Sequence, residues 1–462
     1  MRLPTARVSA ALLLLPAALA ISSCGKDKAA AAAKSAAYAS TYAPLPGKTT
    51  VIRNAILLIG NGARLDGASL LLKDGKVAAV GTEVDAPSDA VVIDAKGRFV
   101  TPGIIDVHSH LGVYASPGVE ASSDGNEAVA PNTAEVWAEH SIWPQDPQFA
   151  LASAGGITSM QVLPGSANLF GGRGVTLKNV PARTVQGMKL PGAKHGLKMA
   201  CGENPKRVYG DKSGPSTRMG NVAGYRAAWI KAKAYKDKLD ASAKGKGEAP
   251  DRDLQLETLA GVLSGDIIVH NHCYRADEMA VMIDIAKEFD YRIGTFHHAV
   301  ESYKVADLLA KEDICSAMWA DWWGFKMEAY DGVRENIALV DAAGACAIVH
   351  SDSATGTQRL NQEAAKAMTS GNRAGLNIPP EHAIRWLTAN AAKSLGIDKT
   401  TGTLEVGKDA DVVLWSRDPF SVYAHADQVF VDGALVYDRA DRSRQPVSDF
   451  MLGILGGQEV QP

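Results

Sequence analysis

From residue 101 to about residue 400, short apolar runs of strand length alternate with helical patterns, and no other feature of the chain restricts its fold as much. The runs are FVTPGIIDVHSH, GITSMQVL, GLKMAC, DIIVHNH, RIGTFHH, ICSAMW and CAIVHSD; stretches such as DEMAVMIDIAKEFD and VRENIALVDAAG lie between the later ones. A helix between two strands carries the chain back so that the strands run parallel, and repeated alternation builds a parallel sheet covered by helices. Over roughly 300 residues such a unit closes as a (β/α)8 TIM barrel, an α/β fold whose functional side chains sit at the C-terminal ends of the strands. Seven strands are readable in these runs, and the geometry of the barrel calls for an eighth.

The chain on either side has another texture. Residues 48–100 contain VIRNAILLIG, SLLLKDGKVAAVG and AVVIDAKGRFV, and residues 401–440 contain GTLEVGKDADVVLW and QVFVDGALVYDR. Apolar runs broken at Asp74–Gly75 and Asp432–Gly433 read as hairpins, because both central residues of such a turn take positive φ. The two flanks are expected to join as one small β-sandwich beside a barrel spanning residues 101–400. Hydrophobic residues make up 46% of the chain and charged residues 21%, a globular composition. A net charge of −3 supplies no field for nucleic acid, which is excluded as a partner. The Lys-rich stretch 221–250 reads as a solvated helix face followed by a loop.

Arg2 and Arg7 precede the apolar stretch Val8–Ile21, which ends in Ser22, Ser23 and Cys24. A basic start, a short apolar core and small residues make a secretory signal peptide over residues 1–24. The placement of Cys24 resembles the lipobox of bacterial lipoproteins. That resemblance implies an exported protein whose only membrane contact is a lipid anchor at Cys24, facing the periplasm from the outer membrane. Residues 25–47 then read as an Ala-rich tether and residues 441–462 as a tail. The spacing of Cys201, Cys273, Cys315 and Cys346 fits no compact disulfide framework, so buried free thiols are expected. Cys273 also stands beside candidate metal ligands.

The chemistry concentrates in Asp106-Val-His108-Ser-His110, at the end of an apolar run. Residues i and i+2 of a strand share a face, so His108 and His110 project together where a barrel opens. Converging neutral imidazoles suit zinc or a similar borderline metal. The chain has only 11 histidines, yet His270, His272, His297, His298 and His350 also fall at predicted strand ends, with Asp352 two residues past His350. His270 and His272 share a face, so either can reach the mouth. His297 and His298 are adjacent, so alternation allows only one of them to point inward.

The segment FVTPGIIDVHSH, the paired β flanks and GTLEVGKDADVVLW together resemble the metal-dependent amidohydrolase superfamily, in particular its imidazolonepropionase-like branch, from about Val51 to Asp438. In that superfamily the first strand gives two His, the fourth often a carboxylated Lys, the fifth and sixth one His each, and the eighth an Asp. Carried over by position, these are His108 and His110, then His270, His298 and Asp352. The bridging position has two candidates: Lys198, which would have to be carboxylated, and Glu203, which needs no modification and is favoured. The resemblance implies two Zn2+ per chain and hydrolysis of an amide-type C–N bond in a peptide, N-acyl amino acid or cyclic amide. The attacking group would be metal-bound hydroxide, with Asp352 as general acid/base. A mononuclear deaminase is the alternative, but such enzymes carry a Glu soon after the fifth-strand His, and here the first is Glu278. A non-catalytic metal- or ligand-binding lipoprotein is a further alternative.

Three more residues are candidates for substrate contact. Arg173 lies in the Gly-rich segment PGSANLFGGRG, read as a loop after an early barrel strand, and Arg218 lies in PSTRMG. Trp322, with Trp319 and Trp323, stands at a strand end and can wall an apolar pocket. His140 reads equally as a second-layer donor or a surface residue.

Overall fold

The computed structural model describes residues 37–446 apart from Ser213. The signal segment with Cys24, most of the Ala-rich stretch and the end of the tail lie outside these residues. The fold is carried by the residues from Ser40 onward.

Eight strands form the barrel in chain order: β6 (Ile104–Ser109), β7 (Ile157–Val162), β8 (Phe170–Lys178), β9 (His195–Ala200), β10 (Ile267–Cys273), β11 (Ile293–His298), β12 (Cys315–Met318) and β13 (Cys346–Val349). All neighbouring pairs run parallel except those involving β8, which is antiparallel to β7 and to β9. This is the strand that the sequence did not display. Gly171, Gly172 and Gly174 interrupt its apolar pattern, and glycine inside a strand marks close backbone approach. A Cβ on Gly172, at φ +108°, would collide with the Val136 carbonyl. The reversal follows from chain length. Only residues 163–169 separate β7 from β8, whereas a parallel crossover needs a dozen residues or more. The Gly-rich segment expected as a loop is therefore partly a barrel strand.

The first and last barrel strands are joined through one carboxylate. Asp106 accepts the His108 N–H (3.2 Å), the Ser351 N–H (3.3 Å) and the Ser351 hydroxyl, while the Asp352 N–H donates to the His108 carbonyl (3.0 Å). Outside the strands, helix Arg218–Ala243 begins at Thr217, whose side chain accepts the Gly220 N–H (3.0 Å). It buries Tyr225, Trp229 and Ala232, with Tyr225 and Trp229 packed on Phe170 of β8, and turns Lys231, Lys233 and Lys238 to solvent. Among the described residues no helix is long and apolar enough to cross a membrane.

The flanks contribute β1 (Thr50–Leu58), β2 (Arg64–Lys73), β3 (Lys76–Gly81), β4 (Val91–Asp94), β5 (Phe99–Pro102), β14 (Val412–Trp415), β15 (Ala426–Val431) and β16 (Ala434–Asp438). They hydrogen-bond along one path, β16-β15-β14-β5-β1-β2-β3, with β4 added on β1, and not as two separately paired layers. Both predicted Asp–Gly turns are present with positive φ at each residue. The Asp74–Gly75 turn bonds back to the approach to β14 (Val77 N–H to Lys408 O, Ala410 N–H to Gly75 O, each 2.9 Å). The sheet thereby folds over a core of its own that includes Ile52, Leu57, Leu70, Val100, Val412 and Phe430.

A buried ion cluster pins this sheet to the barrel. Lys178, on β8 and 1% exposed, donates to Asp409 (2.9 Å), Asp411 (2.8 Å) and Asp432 (2.9 Å). The Asp pair of the KDAD segment and the Asp of the second hairpin turn thus have a shared cation. Residues 40–42, inside the expected tether, dock on the body: Ser40 donates to Lys189 O (2.7 Å), Thr41 N–H to Gln186 O (2.9 Å), and the Tyr42 hydroxyl to Asp432.

The four body cysteines are paired, Cys201 with Cys273 and Cys315 with Cys346, which overturns the expectation of free thiols. Sequence separations of 72 and 31 conceal what the barrel makes adjacent. Cys315 and Cys346 face each other in register across β12 and β13, and Cys201 follows β9 beside the end of β10. As half of a disulfide, Cys273 is not a metal ligand.

Candidate metal centre

Strand alternation and three left-handed residues place the polar cluster. Asp106, His108 and His110 share one face at the end of β6, as their spacing predicts. Lys198 projects from β9, His270 and His272 from β10, and His350 with Asp352 follow β13. On β11 the expectation of a single inward histidine fails. The backbone turns left-handed at His298 (φ +68°) and Ala299 (φ +40°), so His297 and His298 both reach the interior. Asp352 likewise has φ +49°.

Around His108 Nε2 lie Lys198 Nζ (3.2 Å), His110 Nε2 (3.3 Å) and Asp352 Oδ1 (3.5 Å), and His110 Nε2 is 3.1 Å from the same Asp352 oxygen. His110 directs its other nitrogen, Nδ1, to the Leu163 carbonyl at 2.8 Å. That contact fixes the ring and leaves Nε2 as the lone pair, the arrangement that second-layer partners impose on metal-binding imidazoles. Beside this set stand His272, His298 and His350. His298 and His272 rings are 4.5 Å apart, the His298 N–H donates to His350 Nε2 (3.3 Å), and Asp352 Oδ2 is 3.9 Å from His298 Nδ1. One nitrogen each of His108, His298 and His350 falls within a 4.8 Å group, as do ligand atoms of His108, His110 and Asp352.

Electrostatics make these groups donors of lone pairs. Burial, with Lys198 and neighbouring imidazoles adding to it, drives His108, His272, His297 and His298 far below the ordinary histidine range. His270 and His350 are brought down to about 3, burial again first. Lys198 is lowered by burial to about 8 despite the opposing charge of Asp352. Burial alone would raise the Asp352 carboxyl, but the adjoining His110 and the charge of Lys198 hold it below its ordinary value, so it is ionised. Neutral imidazoles and a carboxylate around one space are the chemistry a divalent metal requires. The buried Nδ1 atoms of His272 and His298 find no hydrogen-bond partner, a cost that metal ligation would relieve. The residues fit a metal.

Not every predicted residue joins this group. Both nitrogens of His270 are engaged, Nδ1 with His297 (2.9 Å) and Nε2 with Gln161 (3.3 Å). Glu203 opens helix Glu203–Tyr209 and pairs with Lys326 (3.7 Å), whereas Lys198 Nζ is 3.2 Å from His108 Nε2. Arg173 on β8 donates to Thr258 (2.8 Å) and stacks 4.3 Å over Trp137. Arg218 is paired with Asp277 (2.6 Å) on the rim of a separate cavity of about 810 Å3. His140 stacks on Trp137 at the surface. The tryptophan segment does stand at the mouth: Trp319 stacks on His298 (4.3 Å) and Trp322, 42% exposed, on Trp319 (5.1 Å). Tyr274 and Lys326, which the sequence did not single out, border the same space, with the Lys326 ammonium 3.9 Å over the Tyr274 ring.

Comparison with known proteins is concordant. The family described as "Amidohydrolase family" matches residues 257–436. A crystal structure of an amidohydrolase from Thermotoga maritima MSB8 is 35% identical, with a TM-score of 0.78, covering 84% of this chain and 100% of that one. Amidohydrolase tasK of Hapsidospora irregularis is 33% identical over 434 residues, covering 85% of this chain and 43% of that protein, so the chain spans less than half of that relative. The imidazolonepropionase of Brucella anthropi is 25% identical over 398 residues, covering 80% of this chain and 94% of that enzyme.

Proposed function

Because the chain belongs to the amidohydrolase family, we propose that it is a metal-dependent hydrolase of an amide-type C–N bond in a peptide, an N-acyl amino acid or a cyclic amide. The observation that carries this reading is the convergence of His108 Nε2, His110 Nε2, Lys198 Nζ and Asp352 Oδ1 on one space. His108, His110 and Asp352 would hold one Zn2+, and His272, in place of His270, would hold another with His298 and His350. Lys198, once carboxylated, would add a charged oxygen donor beside them. Burial that lowers its pKa to about 8 raises the fraction of free amine that can take up carbon dioxide. When bound, the metals polarise the scissile carbonyl and lower the pKa of the attacking water.

The side chains supply the remainder. Asp352 is ionised and sits at the rim, with its side chain 24% exposed. It accepts the proton of the attacking water and returns it to the leaving nitrogen, one group serving as base and then as acid. Trp319, Trp322 and Tyr274 form an apolar wall that receives the substrate's side chain or ring and excludes water from the reacting bond. The test is turnover of a panel of dipeptides, N-acyl amino acids and cyclic amides by zinc-reconstituted protein. Hydrolysis of one class, abolished by chelation and restored by zinc, supports the assignment; release of ammonia from amino-substituted heterocycles alone would replace it with deamination.

Export with a lipid anchor at Cys24 belongs to the same proposal. The pairing of all four body cysteines supports it, because disulfides persist in oxidising compartments.

A further inference from the structure

Three buried histidines form a file behind the converging set. His108 Nδ1 is 2.9 Å from His297 Nδ1, His297 Nε2 is 2.9 Å from His270 Nδ1, and His270 Nε2 is 3.3 Å from the side-chain amide of Gln161. All four residues are at most 1% exposed. Gly196 makes room for the far end: a Cβ there would approach both Gln161 Nε2 and His270 Cδ2 at 2.8 Å.

From this geometry, and resting on the metal site proposed above, we infer that His297, His270 and Gln161 are positioning residues that fix the tautomer in which His108 offers Nε2 to the metal. Each nitrogen-to-nitrogen contact needs one N–H and one lone pair, and a neutral imidazole has one of each. If Nε2 of His108 is the lone pair, its proton is on Nδ1 and is donated to His297 Nδ1. His297 then carries its proton on Nε2 and donates to His270 Nδ1. His270 carries its proton on Nε2 and donates to Gln161, whose amide oxygen must face it; amide oxygen and nitrogen are assigned by such networks. Reversing any link reverses all of them and puts the proton on His108 Nε2, where a metal would have to displace it. His110 obtains the same service from the Leu163 carbonyl, an acceptor that cannot reverse. His108 depends on side chains, so its metal affinity can be altered by residues that touch no metal. Both nitrogens of His270 are consumed, whereas His272 meets Asn204 through Nε2 only and its Nδ1 has no partner, which favours His272 as the ligand from β10.

The experiment is zinc binding to metal-free full-length protein, measured by competition with a chelator of known affinity, for wild type, His297→Leu, His297→Asn, Gln161→Leu and Gln161→Glu. The 15N resonances of the histidine rings are recorded alongside. Loss of an outer-layer partner typically costs 10–100-fold in metal affinity. His297→Leu is expected to weaken the tighter zinc by about that factor without changing stoichiometry, and His297→Asn, with an amide oxygen to accept the His108 proton, to recover most of it. Gln161→Leu should weaken zinc several-fold and Gln161→Glu should not, which gives a second readout where a core substitution at His297 impairs folding. The His108 Nδ1–H resonance should be present in wild type and lost or shifted in His297→Leu. Unchanged zinc affinity in both leucine variants overturns the inference. Loss of a whole zinc equivalent in both His297 variants also overturns it, because His297 would then be a ligand. Wild-type protein that takes up no zinc would instead sink the metal-site reading itself, and this inference with it.

Discussion

Lys198 Nζ lies 3.2 Å from His108 Nε2, deep in the barrel, while Glu203 is tied to Lys326 beyond the strand end. Lys198→Ala is therefore expected to lose metal and at least about 100-fold in kcat/KM, as for removal of a group acting directly on the reacting centre. Glu203→Gln should stay within a few-fold of wild type. Metal content and steady-state kinetics of both variants decide the matter; the opposite ranking would return the bridging role to Glu203.

Asp352 is both ligand and proton carrier in the proposed mechanism. Asp352→Asn keeps a ligating oxygen but cannot take up a proton, so kcat should fall by roughly 10²–10⁴ with zinc still bound. Activity near wild type in zinc-loaded Asp352→Asn would leave Asp352 as a ligand only.

Removing Lys178 leaves Asp409, Asp411 and Asp432 facing one another without their cation. Breaking a buried ion pair from one side costs about 3–5 kcal/mol. Lys178→Met should lower the urea midpoint accordingly, although the residue is remote from any proposed ligand. A loss under about 1 kcal/mol would mean that the three carboxylates take up protons or water at little cost.

Glu278 has one buried oxygen without a partner, and burial with the nearby Glu328 charge raises its pKa from 4.5 to about 7. Between pH 4.5 and about 7 the native state holds this proton and the unfolded chain does not, so its contribution to stability is lost as pH rises through that window. A shift of this size corresponds to at most about 3 kcal/mol. Glu278→Gln should remove that slope and be the more stable form at pH 8. Parallel stability curves for wild type and variant between pH 4.5 and pH 8 would refute the assignment.

The two cross-strand disulfides close loops of 72 and 31 residues. Loops of this size correspond to about 4 kcal/mol each. Protein beginning at Ser40 should take up an alkylating mass label on its four cysteines only after denaturation and reduction, and the reduced form should melt lower. Labelling without reductant would show free thiols.

The convergence of His108, His110 and Asp352 was legible because it is local. The period of two that carries Asp106, His108 and His110 to one face survives in any strand, and Asp352 needed only its place at the end of CAIVHSD. What escaped was set by neighbours distant in sequence. β8 was hidden because its glycines suit the crowding of Val136 and Leu163 against its backbone and so lack an apolar pattern. The inward turn of both His297 and His298 depends on a positive φ, which no side-chain periodicity displays. The cysteine pairs, and the placing of Lys198 rather than Glu203 beside His108, depend on which strands are adjacent and on where β9 ends, both properties of the closed barrel. Arg173 was placed wrongly for the same reason: taken as part of a loop, it is a strand residue whose side chain turns to Thr258.

The flanking sheet places a demand on the order of synthesis. β5 pairs with β14, so the first five strands leave the ribosome roughly 300 residues ahead of the partners that complete their sheet. Until then Ile52, Leu57 and Val100 have no β14 or β15 to cover them, and a message truncated before residue 412 yields a chain that cannot finish its fold. The barrel strands, all made by residue 349, can close before the two flanks meet, so the flanking sheet is the last part of the molecule to form.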